Sequence, residues 1–197
     1  MSDEEELRIK RKPGTVHIVV TAVMGGLTAV IGFLTHNFLP HLIITPWPTV
    51  GLFAAAGVWF GAWGVLASYI GNTIASVSAL GLLVGAVQSI SALFQALIPA
   101  WAFRYFKVDP TLKTSRDLTM FMIFANIIPS FVSTLTGPTF WYLLPPYLIP
   151  NLTALLWIMP AWFLSNAIMV PVIAIPLMKA TSATIMRSRA YVIKWLA

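Results

Sequence analysis

The groups able to do acid, base or metal chemistry are few in this chain, and they are not placed to work together. Three histidines are present, His17, His36 and His41, and cysteine is absent. His36 and His41 stand in "THNFLPHLI". A spacing of five does not stack two imidazoles on one helix face, and no carboxylate or thiolate lies near to complete a metal set. They read as interfacial histidines, with ligand contact as the alternative. The six acids are Asp3, Glu4, Glu5, Glu6, Asp109 and Asp117. Asp117 sits at the start of an apolar block, and none of the six lies inside one. No Ser-His-Asp set, phosphate loop or paired-carboxylate pattern is visible. No enzyme activity, cofactor or metal is expected. An ion-coupled pump normally carries ionisable groups within its spans as relays or ion ligands, and this chain has no carboxylate, Lys or Arg inside one for that job.

The elements that hold these residues are apolar. The chain of 197 residues is 58% hydrophobic and only 9% charged, against about 25% charged in a soluble domain. Five blocks, roughly 15–39, 47–80, 82–103, 117–143 and 151–178, are long enough for a bilayer about 30 Å thick. The N-terminus, "SDEEELRIKRK", is too charged, and the block after it too long, for a cleavable signal peptide. Within it Ser2 and Glu5 have the spacing of a capping box.

Lys and Arg number 12 and occur in three places only: before the first block, between the third and fourth at 104–116, and in the tail from Lys179. This is a positive-inside pattern. It explains the net charge of +6 by orientation and lipid headgroups, with no nucleic acid partner. The N-terminus and the 104–116 loop then share one side, so the crossings between them must be even in number. Three blocks supply three crossings unless block 47–80 crosses twice, at about 17 residues per crossing. The turn is expected at Gly57–Gly64, where "GVWFGAWG" supplies three glycines. The expected fold is an all-α integral membrane protein of six short transmembrane helices with both termini cytoplasmic. Its parts are an interfacial segment 1–14, a membrane domain 15–178 and a basic interfacial tail 179–197.

Polar groups inside the blocks are amides and hydroxyls: Asn72, Gln88, Ser89, Ser91, Gln95, Asn126, Asn151 and Asn166. An amide in lipid needs a partner, so these face the bundle. They either join helices or line a pocket. Aromatics gather towards the side without Lys and Arg: Phe38, Trp47, Phe140, Trp141, Tyr142 and Tyr147. They form an interface belt or a stacking wall beneath loops 37–50 and 138–150. The candidate ligand-binding residues are Trp47, Gln88, Ser91, Trp141, Tyr147 and Asn151. The first block also carries small residues at helical spacing, Ala22, Gly25, Gly26 and Ala29. Such a face packs inside the bundle or docks a partner subunit.

Six short spans, the small-residue face and "PTVGLFAAAGVWFGAWGVLASYIGN" as a tight helix pair resemble the substrate-binding S-component of an energy-coupling-factor transporter. Gly57, Gly61, Gly64 and Gly71 stand where that family often has glycines, and Ala22-xxx-Gly26 and Gly25-xxx-Ala29 are similar to its Ala-xxx-Ala face. The resemblance implies a multi-pass protein of a prokaryotic plasma membrane that captures a vitamin-like small molecule. It also implies a coupling transmembrane subunit and ATP-binding subunits as partners, which supply the energy. A metal-ligand set at the extreme N-terminus, as in nickel and cobalt members, is absent. A weaker similarity, "WFLSNAIMVPVIAIPLM" with "GNTIASVSAL", is to membrane-associated sensor domains. The remaining alternative is a structural or accessory subunit of a larger membrane complex.

Overall fold

The computed structural model describes residues 14–38, 46–145 and 147–196. The proposed N-terminal capping box, His41 and half of the 37–50 loop, residues 39–45, lie outside the described residues. The described chain forms six helices: α1 Thr15–Phe38, α2 Thr49–Phe60, α3 Ala62–Leu80, α4 Leu82–Tyr105, α5 Ser115–Leu143 and α6 Leu152–Arg187. No strand occurs among the described residues. Successive helices alternate in direction. Every Lys and Arg among the described residues lies towards one end, referred to below as the basic end.

The break in block 47–80 falls at Gly61, where φ is +56°. An L-side chain rarely adopts that conformation, and glycine adopts it freely. The turn is within the expected window, but it divides the block unequally. The two helices have 12 and 19 residues rather than about 17 each. At 1.5 Å per residue α2 is only about 18 Å long. Four helices, α1, α4, α5 and α6, are long and apolar enough to cross a membrane, and they suggest a multi-pass membrane protein. The reason α2 can be short is its position. Every one of its residues is buried, so it forms the axis of the bundle and meets protein on all sides. Glycine makes this possible: Gly57 meets the Ala96 backbone of α4, and Gly64 of α3 meets the Ala56 carbonyl of α2. Where no Cβ intervenes, helix backbones approach closely.

Two helices are interrupted along their length. In α4 the helix breaks at Ser89, whose hydroxyl donates back to the Gly85 carbonyl at 2.7 Å. Such back-bonding competes with the helix ladder and bends it. In α5 a π-helical turn, Met122–Ile127, precedes Pro129. Proline has no N–H to give to the preceding turn, and the wider turn accommodates its ring.

The last helix does not stop near Met178 but runs on to Arg187. Residues 188–196 then fold against the α2–α3 turn. Val192 donates its N–H to the Trp59 carbonyl at 2.9 Å, and Ala62 donates to the Trp195 carbonyl at 3.0 Å. Arg104 ties this together. Its guanidinium donates to the carbonyls of Gly57 and Val58 at 3.3 Å each, and of Val192 at 2.6 Å. The first two are carbonyls at the C-terminal end of α2, the negative end of the helix dipole; the Gly57 carbonyl also accepts the Gly61 N–H at 3.0 Å. Trp59 adds a buried bond from its indole N–H to the Ser182 hydroxyl of α6, at 2.8 Å.

The small-residue face of α1 divides in two. Gly25 and Ala29 are buried, with Gly25 against the Ala67 carbonyl of α3 at 3.4 Å from its Cβ position. Ala22 and Gly26 are exposed, and nothing lies within 4 Å of the Gly26 Cβ position. One half of the stripe therefore builds the α1–α3 contact, and the other half faces outwards.

Candidate functional site

A cavity of about 360 Å³ lies among the helices in the half of the bundle away from the basic end. All six helices or the segments leading into them contribute to it. The apolar walls are set by helix ends. Trp47 precedes α2 and meets His36 of α1 edge-on, with ring centroids 4.5 Å apart. Trp141, in the last turn of α5, meets Trp162 of α6 at 5.1 Å and 84°. Phe53, one turn below Val50 in α2, lies at the buried axis of the bundle. Edge-to-face pairs hold large rings in fixed orientations.

The polar lining is made of amides, serines and the His36 imidazole, with no Lys, Arg, Asp or Glu. Gln88 stands just before the break in α4. The Trp141 indole N–H donates to its Oε1, and its Nε2 donates to the Ser76 hydroxyl of α3 at 3.3 Å. An indole N–H can only donate, so this pairing fixes which end of the Gln88 amide is which. Asn72 of α3 donates from Nδ2 to the Ser89 hydroxyl at 2.9 Å. The hydrogen of Ser89 is already directed at Gly85, so that oxygen must accept, and the Asn72 amide is fixed too. Asn166 donates to the Ser133 hydroxyl at 3.3 Å, as does the Trp162 indole at 3.2 Å. These bonds link α3 to α4, α4 to α5 and α5 to α6 around the cavity.

Gln95 is the exception. It lies seven residues below Gln88, about 10 Å deeper along the helix, and is only 3% exposed. Its Oε1 has no hydrogen-bond partner, although the residue lines the cavity. A buried acceptor without a partner costs about 1–3 kcal/mol, which a ligand N–H would recover. Asn126 also has a buried Oδ1 without a partner, but it lies elsewhere. Its Nδ2 donates to the Ala167 carbonyl of α6 at 3.1 Å, so it joins helices and is not part of the cavity lining.

Of the candidate ligand-binding residues, Trp47, Gln88, Ser91 and Trp141 line the cavity. Tyr147 and Asn151 stand apart from it. Tyr147 is exposed with φ at +55°, in the turn between α5 and α6. Asn151 is exposed, and its Oδ1 accepts the Ala154 N–H at 2.8 Å as the N-cap of α6. Capping satisfies one of the free N–H groups at a helix start. The cavity adds Asn72, Gln95 and Asn166, which the sequence marks as buried amides without assigning them to a ligand. It also adds Trp162, Ser133 and Ser165, which nothing in the sequence distinguishes from other residues of their helices. His36 joins the wall through Trp47. Among the described residues no group of three or more His, Asp or Glu could hold a metal ion. The arrangement offers stacking surfaces and hydrogen-bonding amides and hydroxyls, with the His36 imidazole beside Trp47 and no Lys, Arg, Asp or Glu. Comparison of the chain with protein-family models, with curated proteins and with solved structures gave no match.

Proposed function

We propose that the protein is the substrate-capturing membrane subunit of an ATP-driven uptake transporter of the energy-coupling-factor type, taking a vitamin-like small molecule. The observation that carries this reading is the cavity. It is walled by tryptophans, lined by amides, without Lys, Arg, Asp or Glu, and built at the end of the bundle opposite the basic residues. In a membrane the basic end would face the cytoplasm. The cavity would then open towards the outside, with both termini inside and six helices passing through the membrane domain. Small-molecule sites are concave, mostly apolar and provided with a few fixed polar groups, as here. The absence of Lys, Arg, Asp and Glu from the cavity lining suits a subunit that binds while others supply energy. Ala22 and Gly26, on the exposed side of α1, would meet the coupling transmembrane subunit, since small residues let helices approach closely.

Native mass spectrometry of the gently solubilised protein from its own membrane tests the reading. A retained small molecule, with or without ATP-binding subunits, is the expected result. A chain without any small molecule, locked into an assembly of unrelated subunits, would refute capture and return the tryptophans and amides to a packing role.

A further inference from the structure

We infer that the cavity takes an uncharged, planar nitrogen heterocycle carrying an amino group beside a ring acceptor, and that Gln95 reads that edge. This rests on the capture reading above and narrows it to a chemical class.

The argument begins with which polar atoms are left over. Both indole N–H groups of Trp141 and Trp162 are directed into protein, at Gln88 and Ser133. The Ser91 hydroxyl donates to the Gln88 carbonyl at 2.8 Å. The amide nitrogens of Gln88, Asn72 and Asn166 are directed at serines. Each of these donors thus makes a bond inside the bundle, which leaves the Trp47 indole N–H and the second amide N–H of Gln88 and Asn166 as other donors of the wall. Asn72 and Asn166 keep their carbonyl oxygens as acceptors. Gln95 keeps its whole carboxamide: Oε1 is buried without a partner, and no bond from Nε2 occurs among the described residues. The cavity is therefore rich in acceptors, and the ligand must bring N–H groups.

The geometry of a carboxamide narrows this further. Its oxygen and nitrogen lie side by side in one plane, so it pairs twice with an edge that presents an amino N–H next to a ring nitrogen. Gln and Asn read the edge of adenine in this way in nucleic acids. The tryptophan faces suit a flat ring, since aromatic rings stack on one another. The cavity, about 360 Å³, is at the small end of ligand pockets, which fits one or two fused rings. Charge is the remaining criterion. No Lys, Arg, Asp or Glu lines the cavity, and the His36 imidazole is the one titratable group in its wall; a phosphate or an organic cation would be buried here without a full opposite charge, and an uncompensated buried ion is strongly disfavoured.

The test uses the purified full chain in detergent, with quenching of tryptophan fluorescence as the binding signal and native mass spectrometry for any retained molecule. The probes are adenine and cytosine, with N6,N6-dimethyladenine, nicotinate and 1-methylnicotinamide as the contrasting set. Adenine or cytosine is expected to bind saturably. Dimethyladenine, which keeps the ring but loses the N–H, should bind about 10- to 100-fold more weakly. Gln95→Leu should weaken adenine by a similar factor and leave dimethyladenine unchanged. The methylated probe tests the idea on the unaltered protein, should the variant not fold. Tighter binding of nicotinate or of the methylated cation, or a retained molecule with no amino edge, would overturn the inference and leave capture standing. No binding by any probe together with no retained molecule would overturn both.

Discussion

The packing of α2 against α4 makes a sharp prediction at Gly57. A Cβ placed there would fall within bonding-like distance of the Ala96 carbonyl oxygen, with the carbonyl carbon 2.8 Å and the Cα 3.1 Å away. The obstacle is backbone, so no side-chain rotation relieves it. The two helices must part by roughly an ångström to reach ordinary contact distance. Because every residue of α2 is buried, the helix has no free side towards which to move. Overpacking of this kind costs about 1–3 kcal/mol, and a backbone obstacle places Gly57→Ala at the upper end. Gly26→Ala is the matched control, an exposed helical glycine with nothing within 4 Å of its Cβ position. Alanine favours a helix over glycine by up to about 1 kcal/mol, so this variant should be unchanged or slightly more stable. The assay is equilibrium unfolding in mixed detergent micelles, followed by tryptophan fluorescence. Equal stability of the two variants, within about 0.5 kcal/mol, would refute the placement of α2 against α4.

Two further predictions concern the basic end. Arg104→Lys keeps the charge but loses the planar fork that reaches the carbonyls of Gly57, Val58 and Val192 together; the Val192 amide should then exchange hydrogen on the order of 10-fold faster, and unchanged exchange would show that the fork does not hold the tail. Ser182→Ala strands the buried Trp59 indole N–H and should cost about 1–3 kcal/mol; Trp59→Phe in the same chain removes the stranded donor, so the double variant should lose less than the sum of the two singles in the same unfolding assay.

What the sequence could supply is depth along the membrane normal. The grouping of Lys and Arg and the even number of crossings it demands lead to a break in block 47–80. Glycine is the residue that tolerates a positive φ, and the break is found at Gly61. The scarcity of charge in the apolar blocks likewise leaves mainly amides, hydroxyls and aromatics beside the aliphatic residues of the interior. These are one-dimensional properties, and a list of residues in order is enough to read them.

Azimuth around each helix is another matter. Trp141 and Tyr147 are six residues apart and similar in depth, yet one walls the cavity and the other is exposed. Asn151 has the side chain of a ligand-binding residue and is used as a helix cap. Ser133 and Trp162 meet because α5 and α6 pack together at that level, and neither carries a sign of it in its own neighbourhood. The unequal division of the hairpin depends on the same cause. A helix of 12 residues is adequate only when others surround it, which is a property of the bundle. Arg104, which the sequence presents as one of several topology-setting charges, becomes the cap of α2 only because the tail returns to meet it. Hydropathy and charge act on each residue separately and so are legible from the sequence. Contacts between helices depend on pairs of residues far apart in the chain, such as Trp59 with Ser182 or Gln88 with Trp141, and only the packed bundle decides them.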